Sequence, residues 1–294
     1  MVFPVSSHLR LPIRLRVCLC FLMLAGPILH TSHAQEVNPA IRLIDEIKSH
    51  SSGTAVWWTG HNGWLIKSDD ILIGTDLVLE IDGRFAPSPV RAREVAEELD
   101  ILFITHGHGD HFGRETARIL IEHSDCIFVI PESTLHIARE LGIPEERIHV
   151  ATPRQPFSLR GVEVEPIRAV HGDQNFAVYY EANLQDCGYV ITMNGIRFLQ
   201  PGDSVLLEDQ LFLEQVDVLF FSPTEHNTHI DRSVILINAL TPDYILPQHH
   251  STMAYDEANR FWAKGYPDEV KMLLSKPLQD RYHILEQGER IDIE

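Results

Sequence analysis

The chain has little positive charge, few cysteines and no apolar run long enough to cross a bilayer, and each shortage removes a class of function. Lys and Arg total 24 against 42 Asp and Glu, a net charge of −18 with His neutral. A polyanion is bound by replacing its counterions with Lys and Arg, and no basic stretch with interleaved aromatics occurs, so nucleic acid is excluded as a partner. The same field disfavours a highly charged anionic substrate unless bound metal ions reverse the potential locally. Of the four cysteines, Cys126 and Cys187 lie in apolar segments, DCIFVI and DCGYVI. There they read either as a disulfide or as two buried free thiols. Neither stands near a histidine cluster, so no thiolate metal ligand is expected.

The longest apolar run is VCLCFLMLAGPIL at 17–29, short of the roughly 20 residues that a spanning helix needs. Arg10, Arg14 and Arg16 precede it, and Ser32-His33-Ala34 follows as a small-x-small pattern before Gln35. This reads as a cleavable secretory signal peptide over 1–34, and the expected location is secreted or periplasmic. Cleavage would remove three arginines and no acids, taking the charge from 24 − 42 = −18 to 21 − 42 = −21. Cys18 and Cys20 precede the apolar core instead of following it, so no lipoprotein anchor is expected, and no stable membrane anchor after cleavage. Residues 35–52 read as a lead-in with an amphipathic helix over 38–49. Residues 53–294 carry no Pro/Gly/Ser-rich linker and read as one domain, long enough to bury a sizeable core.

What the chain has in abundance is histidine at one place. Residues 105–111 read THGHGDH, directly after the apolar strand DILFIT. Three imidazoles and a carboxylate this close together need partners, and neutral imidazole and carboxylate are the donors that divalent metals take. Gly107 and Gly109, without Cβ, are expected to let the backbone turn tightly enough to aim His106, His108, Asp110 and His111 at one volume. The position between a buried strand and the helical segment RETARILIEH is where α/β sheets place their sites.

Four ligands in one loop cannot close two metal spheres, and later strand ends offer more. VEVEPIRAV runs into His171, IRFLQ into Pro201-Gly202-Asp203, and DYILPQ into His249-His250. Strands are also expected at TAVWW, GWLIKS, DILIGTDLVLE, CIFVI, RIHVA, FAVYYEA, GYVITMN and VDVLFF. Helices are expected at PVRAREVAEELD, STLHIARELG and RSVILINAL, with a helical tail from Tyr255 to Leu274. Each candidate ligand thus sits at the carboxyl end of an apolar strand beside turn residues, and separate segments can converge on one sheet edge.

HGHGDH, AVHG, PGDS and PQHH in that order, preceded by WTGHNGWLIKSDDILIGTD, resemble the metallo-β-lactamase superfamily, and within it the ascorbate-phosphate-lactonase-like group of metal-dependent hydrolases. The resemblance spans about residues 53 to 252. It implies an α/β fold, a four-layer αββα sandwich with metals at one edge of the paired sheets. It also implies His106, His108 and His171 on one metal, Asp110, His111 and His249 on a second, and Asp203 bridging both. Adjacent strand residues face opposite ways, so His250 is not expected to share the role of His249. Asp76 matches a strand aspartate that would orient a ligand histidine.

Such a site would hold two divalent ions, zinc as the first expectation, with manganese or iron compatible with the same donors. A metal-bridging hydroxide would attack a small-molecule carbonyl or phosphoryl centre, Asp110 would hold it as well as ligate, and His226 could protonate the leaving group. His226 and His229, in SPTEHNTH, read either as substrate-contacting or as exposed loop residues. His61 reads either as a site residue or as a structural one. Trp57, Trp58 and Trp64 read as packing. Asp203 disfavours antibiotic hydrolysis, His108 disfavours the di-iron His-x-Glu-x-Asp pattern, and a leader peptide separates the protein from a phosphorylated sugar acid made inside cells. The first expectation is therefore a lactone, ester or amide hydrolase. A phosphodiesterase or phospholipase-D-like enzyme stands second, and a non-enzymatic metal-binding protein third.

Overall fold

A computed structural model describes residues 42–174, 177–179 and 182–294. The signal peptide over 1–34 and residues 35–41 of the lead-in lie outside the described residues. Strands β1 (Thr54–Gly60), β2 (Gly63–Ser68), β3 (Ile71–Thr75), β4 (Ile101–Phe103), β5 (Ile127–Pro131) and β6 (Ile148–Ala151) come from the first half. Strands β7 (Phe157–Leu159), β8 (Val162–Arg168), β9 (Cys187–Met193), β10 (Ile196–Gln200), β11 (Val218–Phe221), β12 (Tyr244–Pro247) and β13 (Arg290–Ile293) complete the set. They form two sheets, a seven-stranded one in the order β13-β1-β2-β3-β4-β5-β6 and a six-stranded one in the order β12-β11-β10-β9-β8-β7. Both are mixed: β1 to β3 and β7 to β10 pair antiparallel, whereas β3 to β6 and β10 to β12 pair parallel.

The period of two along a strand builds the layers. Trp57 faces outward into a core with helices α1 (Leu43–Ser49), α2 (Ala92–Val95), α3 (Arg114–His123) and α4 (Leu135–Leu141), joined by Leu43, Ile47, Val95, Leu120 and Ala138. Its neighbour Trp58 faces inward with Trp64, Phe103, Tyr189, Phe198 and Phe220, the filling between the sheets. Trp64 stacks on Phe220 across that gap at 4.4 Å between ring centroids. On the far face of the second sheet, Leu199, Leu219 and Ile245 pack under Leu236 and Ile237 of α5 (Asp231–Leu240). The result is the αββα sandwich.

Three expectations change. The helix over 38–49 is described only from Leu43. FAVYYEA is not a sheet strand among the described residues: Val178 makes only an isolated bridge to Gly172, and Tyr179 N–H bonds to His171 O at 2.9 Å. Its neighbour in sequence, β9, is already paired on both sides, by β8 and β10. The helical tail breaks into α6 (Arg260–Ala263) and α7 (Pro267–Leu273), since Gly265 and Pro267 interrupt it and Pro267 opens the second helix. Beyond it, β13 closes the first sheet against β1, an edge strand that follows a turn at Gly288 with φ 88°. Cys126 and Cys187 are buried free thiols, and burial raises both, Cys187 to about 12.

Candidate metal centre

The carboxyl ends of β3, β4, β8, β10, β11 and β12 and the β1–β2 turn all reach one edge of the sandwich, and each brings a polar side chain. The ligand atoms of His106, His108 and His171 lie within 4.8 Å of one another, and so do those of His61, Asp110, His111 and His249. Asp203 joins His106 and His111 in a third such group and His171 and His226 in a fourth. Four imidazoles surround a single oxygen, Asp203 Oδ2: His226 Nε2 at 2.7 Å, His249 Nε2 at 3.1 Å, His111 Nε2 at 3.3 Å and His171 Nε2 at 3.6 Å. The seven residues that the resemblance names are thus brought together, with His61 and His226 beside them. His250 is turned away, stacked on Trp58 at 4.6 Å with its Nε2–H donated to Pro247 O. His229 lies outside these groups.

The surroundings fix which nitrogen of each ring is free. His111 donates Nδ1–H to Asp76 Oδ2 at 2.8 Å, and His171 donates its own to Gly172 O at 2.6 Å. Thr105 Oγ1 donates to Asp76 Oδ2, so it accepts from His106 Nδ1–H at 3.1 Å. All three rings therefore turn the Nε2 lone pair toward the cluster, the tautomer that a metal requires. His106 Nε2 and His111 Nε2 are buried without a hydrogen-bond partner, as is His249 Nδ1. Buried donors and acceptors in that condition are costly unless a further group satisfies them.

Electrostatics agree with the donor chemistry. Burial pushes the His106 imidazole well below its ordinary pKa, His171 down to about 4 and His249 down to about 3. These rings are neutral at pH 7, as ligands must be. Burial opposes the ionisation of Asp110 and Asp203, yet His111 and its neighbours outweigh it and hold both well below the usual carboxylate range. His111 runs the other way: against burial, Asp203, Asp76 and Asp110 raise it well above its ordinary value. Three carboxylates packed around one ring call for positive charge, which divalent cations would supply more fully than a proton. The residues present fit bound metal.

The backbone is strained where these groups meet. His61, Asp76 and His249 all adopt left-handed φ, at 53°, 41° and 58°. Such conformations cost about 1–3 kcal/mol each in ordinary residues and persist where surrounding structure holds them. Here His249 N–H bonds to His61 O at 2.9 Å, and His61 N–H to Thr252 Oγ1 at 2.7 Å. Gly109 does not have the role expected of it, since its φ is not positive and a Cβ there would meet nothing within 4 Å, whereas a Cβ at Gly107 would fall 3.0 Å from Ile137 Cδ1. The close approach is at Gly172, where a Cβ would fall 1.6 Å from His226 O.

Other polar residues at the site carried no motif. Asn62 and Asn227 donate to Asp203 Oδ1 at 3.1 and 2.9 Å. Beneath them, Gln200 and Gln248 exchange side-chain hydrogen bonds, tied to Trp64 Nε1–H and Thr75 Oγ1. The one signal was position, since Asn62 follows His61 and Asn227 follows His226. Above the donor set opens a cavity of about 380 Å³, bordered by His108, Asp110, His171, Asp203 and His226.

Residues 55–249 match the family described as the β-lactamase superfamily domain. The chain belongs to that family. Among curated proteins it is 24% identical over 240 residues to a metal-dependent hydrolase of Staphylococcus carnosus, covering 78% of this chain and 92% of that one. A metallo hydrolase from the archaeon Ignicoccus hospitalis shares the fold with a TM-score of 0.63 at 18% identity, over 82% of this chain and 98% of that one. A diiron β-hydroxylase from Streptomyces venezuelae does so at 0.61 and 18%, over 83% of this chain and 55% of that one. The superfamily relatives place this member among the metal-dependent hydrolases without singling out the narrower lactonase-like group. One fold carrying two chemistries means that the reaction has to be argued from the site.

Proposed function

We propose that this superfamily member is a dinuclear metal-dependent hydrolase that cleaves a lactone, ester or amide. The observation that carries the reading is the central position of Asp203 Oδ2, within 3.6 Å of the Nε2 atoms of four histidines. A carboxylate shared by two donor groups is what two cations about 3.5–4 Å apart need to offset their repulsion. Zinc is the first choice for such imidazole and carboxylate donors.

Bound divalent cations supply a nucleophile ionised near neutral pH and a Lewis acid for the electrophilic oxygen. The chain supplies position and protons. Asp110 borders the cavity with its carboxylate held by His61 Nε2 at 3.0 Å, placed to accept a hydrogen bond from the attacking water. Water adds to the carbonyl carbon, the bond to the leaving oxygen or nitrogen breaks, and that atom takes up a proton. His226 borders the same cavity with Nδ1 held on Phe261 O at 3.1 Å and Nε2 on Asp203 Oδ2 at 2.7 Å; both partners are acceptors, so a ring carrying a proton on each nitrogen would deliver the one on Nε2 to that atom. The leader over 1–34 would put this activity outside the cytoplasm, on a small-molecule substrate. A mature amino terminus at Gln35 in secreted protein is the measurement for that part.

Metal analysis of the purified protein tests the centre, with two equivalents per chain expected and loss of at least one in Asp203→Ala. A metal-free wild type, or full hydrolytic rate in Asp203→Ala, would sink the proposal.

A further inference from the structure

The cavity above the donor set has a wall that the chemistry does not use. Ile81, Tyr179, Met253, Phe261 and Trp262 line it. Their rings stand against the imidazoles: Tyr179 lies 5.2 Å from His171 and 5.7 Å from His108 between centroids, Phe261 6.2 Å from His226, and Trp262 6.4 Å from His61. Apolar surface therefore borders the space where a reacting group has to sit. The wall continues outward. Phe85 N–H bonds to Thr252 O beside Met253, and the Phe85 ring meets Tyr255 edge-on at 6.2 Å, the two being 60% and 47% exposed.

Charge is distributed to match. No described residue lining the cavity is Lys or Arg, and the bordering segment 171–182 contains neither in its sequence. Asp173 adds a further negative charge to the lining. The arginines nearby are engaged elsewhere. Arg84 donates to Val78 O, Thr59 O and Gln287, Arg91 pairs with Glu80 at 2.8 Å, and Arg260 pairs with Glu225 at 3.0 Å. A phosphorylated or carboxylated substituent would face acid with no protein cation to pair it, and burying such a charge unpaired is costly.

From this we infer the substrate class: an uncharged acyl compound whose extended apolar group lies along Ile81, Met253, Phe261 and Trp262 and leaves the cavity over the joined rings of Phe85 and Tyr255. The inference rests on the hydrolase reading for the acyl group, and on the wall alone for the rest.

Methyl ketones separate the two, because they present a carbonyl and cannot be hydrolysed. Binding of 2-butanone and 2-decanone to the zinc-loaded protein is measured by calorimetry. Each buried methylene is worth roughly fourfold in affinity, so the longer ketone should bind at least tenfold more tightly. Phe261→Ala and, separately, Ile81→Asn should each remove most of that difference. In parallel, kcat/KM should rise at least tenfold from p-nitrophenyl acetate to p-nitrophenyl octanoate. Equal affinity for the two ketones, or tighter binding of glycerol 3-phosphate than of 2-decanone, overturns the inference. Chain-length selection among ketones with no ester hydrolysed would support it while removing the hydrolase reading. Ester hydrolysis with equal ketone affinities would do the reverse.

Discussion

His226 and Asp203 meet at 2.7 Å, Nε2 to Oδ2, in a buried contact between the segments that follow β11 and β10. The carboxylate is divided in function. Its Oδ1 accepts from Asn62 and Asn227, while its Oδ2 faces His111, His171, His226 and His249. Two amides thus hold one oxygen so that the other stays at the centre of the donor set.

Replacing the tether should weaken the centre without unfolding the protein. In Asn62→Ala, and likewise in Asn227→Ala, metal affinity measured by chelator competition is expected to fall by about 10- to 100-fold. Circular dichroism should stay at the wild-type spectrum. Unchanged affinity in both variants would mean that Asp203 needs no support from Oδ1.

Asp76 acts one step further out, accepting from His111 Nδ1–H, Thr105 Oγ1–H and Thr105 N–H. Asp76→Ala releases the His111 tautomer and strands the two Thr105 donors. Metal affinity should drop, and urea unfolding of the chelated protein should show a loss of about 1–3 kcal/mol. Wild-type values on both measurements would count against this role.

Glycine replacements should divide by position and not by proximity to the motif. Gly109→Ala places its methyl in open space, and a stability change within about 0.5 kcal/mol is expected. Gly172→Ala drives a methyl into His226 O, so hydrolysis should fall at least tenfold as the His226 segment is displaced. Equal effects from the two substitutions would contradict the geometry.

His250 gives an acid sensitivity separate from the donor set. Burial lowers its pKa from 6.5 to about 4. Between those values the unfolded chain binds the proton that the folded one refuses, so stability is lost as pH falls from about 6.5 toward 4. From pH 7 to pH 5 this one ring should contribute about 2 kcal/mol of loss in chelated protein. His250→Leu, which keeps an apolar partner for Trp58, should remove that share of the slope in urea titrations. An unchanged slope would show that the ring is already solvated.

Much of the site could be read from the chain because donors follow strands. His106 to His111 come after DILFIT, and His171, Asp203 and His249 after VEVEPIRAV, IRFLQ and DYILPQ, each at an apolar run that ends in a turn. Where reading failed, the local pattern had a competitor. FAVYYEA alternates like a strand, yet β9 had no free edge to offer it. Gly109 looks like a glycine that its turn requires, yet a Cβ there meets open space and the tightest approach is at Gly172.

The amino-acid order by itself determined the donor inventory, the alternation that makes Trp57 and Trp58 face opposite layers, and the likeness to one superfamily. Only the tertiary structure decided that His61 stands against Asp110, that Asn62 and Asn227 hold Asp203, and that an apolar wall closes around the imidazoles. The physical reason is range. Periodicity and turn residues act over a few positions, whereas these contacts join segments far apart in the chain, and they exist only once two twisted sheets have packed and brought their strand ends to one edge.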